Sequence, residues 1–240
     1  MAKVIGYHRP SSLDEAVAKL GEPGIPKVVM GGGTVVNDAT DRTEVEVVDL
    51  QALGLDSIAV GGGRMSLGSG VTLQELADHP DTPGGVATLA RREAPNTIRS
   101  VATIGGLVGA GDTESELLAA FLVADAVVEV ASAGSTAEMP LSDALSADLS
   151  GSIITGLSFA TEGDTVSDHT VRTPADRPIC AVVGRKAGGS VILAACGAAP
   201  TPVLFDDPSE LSPVADFRGS IEYRSHLISV HAARVREALA

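Results

Sequence analysis

Two glycine-rich stretches carry the residues best suited to chemistry. Gly31, Gly32 and Gly33 follow Met30 and run into Thr34 and Val35, and about seventy positions further on Thr103, Ile104, Gly105 and Gly106 open a stretch that continues through Gly109 and Gly111 to Asp112. Successive glycines expose backbone N–H groups and let a ligand approach the chain closely. A threonine hydroxyl beside them completes a concave donor surface of the kind that suits a diphosphate. Neither stretch continues as Gly-Lys-Ser/Thr, so neither is a Walker loop. Neither has the spacing of the doubly wound dinucleotide fingerprint, nor an acidic residue at the needed distance on a second strand. Either stretch alone reads as a turn after a strand. The two together, some seventy positions apart, weigh against a plain turn at each place.

No other constellation offers a nucleophile or a metal site. The five histidines, His8, His79, His169, His226 and His231, stand in unrelated contexts, and no Ser–His–Asp or Cys–His arrangement emerges. His226 and His231 fall on a terminal helix, where solvated or interfacial roles are expected. Cys180 and Cys196 lie sixteen positions apart without a CxxC pair. They read as small buried residues in a reducing compartment that ligate nothing. Asp206 and Asp207, followed by Pro208, read as a turn.

Composition excludes several function classes. With 31 acids against 17 bases the formal net charge is -14, and only 2% of residues are aromatic. Such a surface repels phosphate backbones and offers few stacking platforms, so nucleic acid is an unexpected partner, as is an anionic membrane. Hydrophobic residues make up 44% of the chain, enough to offset chain entropy in a globular fold. No run approaches eighteen uninterrupted apolar residues, and the first ten residues lack an apolar signal region. The expectation is a cytoplasmic protein with no membrane insertion.

The elements that must position the glycines follow from periodicity and punctuation. A helix capped by Ser11 or Ser12 carries Leu13, Ala16, Val17 and Leu20 at helical spacing and stops at Gly21. Strands are expected at 27–30 and 45–50, and a hairpin at 57–60 and 64–69 around three glycines. Helices are expected at 72–77, 85–93 and 114–125, with a polar, then glycine-rich, stretch at 96–112. Strands at 127–130 and 152–155 precede a polar, proline-containing linker at 161–178. Three strands at 179–184, 190–196 and 203–205 follow. A helix from about 220 to 239 closes the chain, with Leu227, Val230, Val235 and Leu239 on one side.

Taken in order, these segments resemble the flavin-binding medium subunit of molybdenum hydroxylases, the family of carbon monoxide and xanthine dehydrogenases. Residues 28–36 are similar to the family's first glycine loop, 65–76 to its Gly-Val-Thr-Leu-Xaa-Glu-Leu hairpin and helix, and 196–202 and 219–224 to its C-terminal domain. The run Arg99-Ser100-Val101-Ala102-Thr103-Ile104-Gly105-Gly106 is the most specific match. The resemblance implies an α+β protein with a two-lobed FAD-binding fold (PCMH/vanillyl-alcohol-oxidase-like) and a C-terminal domain of three antiparallel strands and helices. The corresponding boundaries are 1–56, 57–165 and 166–240.

The resemblance also implies a site. Gly31, Gly32, Gly33, Thr34, Val35, Thr103, Ile104, Gly105 and Gly106 would meet the FAD diphosphate, with Gly33 in place of a usual histidine. Asp112 and Glu116 stand where the family has acids near the ribityl chain, Ile154 where an aliphatic residue packs by the flavin ring, and His169 near the place of a lysine. Leu107 replaces a usual asparagine. No residue of this chain is expected to be catalytic in its own right. FAD would accept electrons from [2Fe–2S] clusters in a small iron–sulfur subunit, which draws them from a molybdopterin in a large subunit. The implied assembly is a dimer of heterotrimers. The alternative is a degenerate, flavin-free structural or assembly subunit of the same complex.

Overall fold

The computed structural model describes residues 3–38, 43–173 and 176–240. The first unit comprises β1 (Lys3–His8), α1 (Leu13–Leu20), β2 (Lys27–Met30), α2 (Thr34–Asp38) and β3 (Glu44–Asp49). The strands form a parallel sheet in the order β1-β3-β2. Ser12 caps α1 by accepting the Glu15 N–H at 3.2 Å, and Ala16 and Val17 are buried beside Val48 and Leu50. The opening helix and the two following strands were legible, but β1 was not. Its Val4, Ile5 and Tyr7 stay exposed, so an edge strand held by backbone bonding to β3 leaves no clean alternation to read.

The second unit holds β4 (Ile58–Gly61), β5 (Arg64–Gly68), α3 (Leu73–Asp78), α4 (Gly84–Glu93), α5 (Asn96–Arg99), α6 (Ile104–Ala110), α7 (Glu116–Val123), β6 (Val127–Ser132), β7 (Ser135–Pro140), α8 (Leu141–Ala144) and β8 (Ile153–Ala160). Its sheet is antiparallel in the order β4-β5-β8-β6-β7. The β4–β5 turn uses Gly62 and Gly63 at φ +59° and +76°. Thr72 and Glu75 form a reciprocal capping box at the start of α3. Residues 96–112, read from the sequence only as polar and then glycine-rich, hold two helices. Glycine is a poor helix former, so α6 depends on its ends and its packing. Thr103 Oγ accepts the Gly106 N–H at 3.2 Å, Gly111 closes the helix at φ 56°, and Ile104 and Val108, one turn apart, are buried.

The last unit contains β9 (Asp164–Thr170), β10 (Cys180–Ala187), β11 (Ser190–Cys196), β12 (Val203–Phe205) and α9 (Ile221–Ala238). The three expected strands are joined by a fourth, giving the antiparallel order β12-β11-β10-β9. β9 falls in the stretch expected to be a linker, and residue 165 lies inside it. Only Val166 in β9 is apolar, so register with β10 from Thr170↔Cys180 to Asp164↔Lys186 defines this edge strand. The sheet is covered on both sides. Ala181, Val183, Ala194 and Cys196 share a core with α7, while Cys180, Val182, Leu193 and Ala195 share one with α9.

Two polar side chains lie on the buried side of α9. His231 was expected to be solvated or interfacial. It is 2% exposed, with Nδ1 2.6 Å from Asp168 Oδ2 and Nε2 2.9 Å from Thr170 Oγ1, so it ties α9 to β9. Arg224 Nη1 donates to the carbonyls of Ile179 and Gly197 at 2.8 and 3.1 Å. No helix among the described residues is long and apolar enough to cross a membrane.

Both cysteines are buried free thiols. Burial pushes Cys180 up to about 11 and raises Cys196 well above the ordinary thiol value, which keeps both protonated and unreactive. Neither is expected to react with a thiol-specific reagent in folded protein at pH 8, and both should react after unfolding. Rapid labelling of native protein would contradict this.

Candidate functional site

A cleft of about 1000 Å³ runs where the two glycine stretches meet. Gly31, Gly32, Gly33, Thr34 and Val35 line it from one side and Thr103, Gly105 and Gly106 from the other, with Ile154 of β8 and Gly109 further along. The absence of side chains is what lets the stretches touch. A Cβ on Gly31 would lie 2.5 Å from Thr103 Oγ, and one on Gly32 would lie 1.5 Å from the Val101 carbonyl oxygen. Gly105 is pressed in the same way against Ser69, whose Cβ would be 2.8 Å from an added Cβ.

Hydrogen bonding separates the roles of the two stretches. The Ile104 N–H donates to Val71 O at 2.9 Å, the Gly105 N–H to Ser69 O at 2.8 Å and the Gly106 N–H to Thr103 Oγ at 3.2 Å. Their donors are therefore engaged within the chain, contrary to the expectation that they face a ligand. The reason is that these residues open α6, whose first turn is tied to the loop after β5. Ile104 itself is fully buried in the main core. Among the described residues the N–H groups of Gly32 and Gly33 have no acceptor, and Thr34 starts α2, whose first-turn N–H groups lack intrahelical partners. The free donors are on the first stretch.

The charged residues lining the cleft are Asp56, Glu75 and Asp148, and among the described lining residues none is basic. An anion here would be held by backbone dipoles and hydroxyls, with no side-chain cation among the described lining residues to neutralise it. Sequence reasoning missed Asp56, Ser69, the 144–152 segment and the Pro200–Thr201 edge. One signal was present: an added Cβ on Gly68 or Gly70 would lie 2.3 or 2.9 Å from the Leu55 carbonyl, so these glycines mark where the segment before β4 crosses the loop after β5.

Asp112, Glu116 and His169 do not line the cleft. Glu116 is buried, with Oε2 2.8 Å from Arg92 Nη2, and its Oε1 lacks a hydrogen bond, with His169 Nδ1 3.5 Å away. Arg92 also reaches the His169 ring. Asp112 Oδ2 is 3.4 Å from Arg177 Nη2, while Arg177 Nη1 is 3.0 Å from Glu93 Oε1. These groups knit α4, α7 and β9 because the N-terminus of α7 is turned toward α4 and the last sheet, away from the glycines. Leu107 likewise packs on the main core.

Glu93 gives this cluster a pH signature. Burial outweighs its partners Arg177 and Ser115 and raises its carboxyl above the ordinary value. An acid whose folded-state value is raised contributes stability below its unfolded value, and that contribution is lost as pH rises through the folded one. Wild-type stability should therefore fall relative to Glu93→Gln between pH 4 and pH 8, measured by urea unfolding at each pH. A gap that is constant, or that opens the other way, would refute the assignment.

Comparison with known proteins gives matches at each level. Residues 3–158 match the profile of a family described as the FAD binding domain in molybdopterin dehydrogenase. The FAD-subunit of nicotinate dehydrogenase from Eubacterium barkeri is 27% identical over 146 residues, covering 57% of this chain and 49% of that protein. The chain spans about half the length of the curated relatives it matches. A chain of reconstituted CO dehydrogenase from Oligotropha carboxidovorans superposes with a TM-score of 0.85 at 22% identity over 100% of both chains. A chain of quinoline 2-oxidoreductase from Pseudomonas putida 86 gives 0.84 at 18% identity, over 98% of this chain and 96% of that one. At these identities the structural likeness shows the fold.

Proposed function

We propose a function from the premise that this chain belongs to the family of FAD-binding domains in molybdopterin dehydrogenases: it holds FAD in the cleft and serves as the electron-transfer subunit of a molybdenum hydroxylase. Electrons reach it from [2Fe–2S] clusters in a small partner and leave to an external acceptor, while substrate is oxidised at the molybdopterin of a large partner. The assembly is a cytoplasmic dimer of heterotrimers. The two glycine stretches belong to lobes 1–56 and 57–165, and residues 166–240 form the third part.

The observation that carries this reading is the interlocking of Gly31 and Gly32 with Val101 and Thr103 beside free N–H groups on Gly32 and Gly33. A side chain at Gly31 or Gly32 would push the two stretches apart, so their glycines keep the free N–H groups beside the second wall of the cleft, where a diphosphate can take them up. The residues fit the group by size and by donor chemistry. Gly32, Gly33 and Thr34 bind the diphosphate, Gly105 and Gly106 allow its close approach, and Ile154 packs by the ring system. Asp56, Glu75 and Asp148 offer acceptors to hydroxyl groups. When bound, FAD supplies the exchange between one-electron and two-electron carriers.

The engaged donors of Ile104, Gly105 and Gly106, with no basic residue among the described lining, support a second reading: a flavin-free structural subunit. Flavin released by acid from the purified, co-expressed complex decides between them. FAD equimolar with this chain supports the first reading; a colourless complex that still assembles overturns it in favour of the second.

A further inference from the structure

Four large apolar side chains stand in solvent within ten residues: Val214 at 72% exposure, Phe217 at 89%, Ile221 at 50% and Tyr223 at 43%. The chain has only 4 Phe and 2 Tyr, and Phe121, Phe159 and Phe205 are buried. Scattered exposed apolar groups are ordinary, whereas a cluster of them marks an interaction site.

The backbone beneath the cluster is rigid. Asp216 and Gly219 exchange N–H···O bonds at 3.1 and 3.2 Å, and the Arg218 N–H donates to Asp216 Oδ1 at 2.7 Å. Phe217 therefore sits at the tip of a tight turn. Arg218 pairs with Glu114 beside the start of α7, and Asp216 Oδ2 is 2.6 Å from the buried Arg224 guanidinium of α9. An aromatic group held outward by contacts to two helices pays little ordering entropy on binding, which is the condition of an anchor residue.

Charge narrows the occupant. Residues 206–223 carry five acids, Asp206, Asp207, Glu210, Asp216 and Glu222, against one base, Arg218, and that base is already engaged by Glu114 and Asp216. A shallow groove lies between Asp207, Ser209 and Leu211 on one side and Ser225, His226 and Ser229 of α9 on the other. A second copy of this chain, at net charge -14, would meet the surface with like charge.

We propose that the Phe217 turn is the docking anchor for a protein partner that offers an apolar socket rimmed by lysine or arginine. The proposal rests on the function above only in taking that partner from the same complex.

The test measures binding of full-length chain, loaded with whatever cofactor it carries, to its co-purified iron–sulfur and molybdopterin subunits. Phe217→Asp should weaken binding roughly tenfold or more. Val60→Asp, at an exposed apolar position on β4, should change nothing. Glu222→Lys should slow association, and added salt should weaken wild-type binding. Flavin content and circular dichroism should be the same in all variants. Wild-type affinity in Phe217→Asp overturns the proposal, as does a wild-type dimer formed without partners that Phe217→Asp dissolves. No binding by wild type overturns both the proposal and the complex. A colourless chain that still docks through Phe217 overturns the flavin function alone.

Discussion

Gly106→Asp is expected to remove flavin from this protein while leaving it folded. Gly106 lines the cleft, and the single close neighbour of an added Cβ is Thr103 Oγ at 3.3 Å. Once the Thr103 hydroxyl yields by a few tenths of an ångström, the carboxylate stands at the cleft wall, where no lining cation among the described residues offsets its charge. A carboxylate about 4 Å from a phosphate costs roughly 4 kcal/mol at the effective dielectric near a protein surface, about a thousandfold in affinity. Gly32→Ala is a harsher change, since its Cβ would lie 1.5 Å from Val101 O, and it would separate the two stretches. The control is Gly62→Asp: φ is +59°, and nothing lies within 4 Å of an added Cβ. It should cost on the order of 1 kcal/mol of stability and keep the flavin. Flavin content and dissociation constants, alongside circular dichroism, are the measurements. Full flavin in folded Gly106→Asp, with loss in Gly62→Asp, would sink the assignment of the cleft.

Phe121→Ala should be the most damaging single change to the core. Phe121 is fully buried near the middle of α7, with its ring centroid 5.1 Å from that of Phe159. All eight residues of α7 are buried, and the helix shares one core with the antiparallel sheet of the second unit and with β10 and β11. Deleting the ring removes its burial and leaves a cavity that two sheets cannot close, at a cost of about 3–5 kcal/mol. For a chain of this size that lowers the melting temperature by roughly 6–20 °C. Phe217→Ala, at an exposed position, should shift stability by no more than about 0.5 kcal/mol. Calorimetry on the two variants tests the comparison, and equal effects would show that α7 is not the central element.

Much of the site could be read from residue types. Glycines at 31–33 and 105–106 with threonines at 34 and 103 were enough to locate both walls of the cleft, because a chain without Cβ atoms at two separate places is a strong constraint on what approaches it. The elements that flank them were also legible where one face is buried: α1, α3, α4 and β3 carry the spacing or caps that their environments demand. The family resemblance followed from the order of those segments.

Other features depend on contacts between residues far apart in sequence. β9 is a strand because β10 supplies its hydrogen bonds, and its own composition argues for a loop. α6 is a helix despite Gly105, Gly106 and Gly109 because Thr103, Gly111 and the buried Ile104 and Val108 hold it. Glu116 and His169, placed near a ligand by position in the chain, meet Arg92 instead because α7 turns its first residue toward α4 and β9. The same holds for donor availability. Sequence by itself determined which residues lack side chains and could expose N–H groups, since that is a property of residue type. Tertiary structure alone decided which of those groups remain free, Gly32 and Gly33 rather than Gly105 and Gly106, because a backbone donor is satisfied by whatever carbonyl or hydroxyl the fold brings beside it.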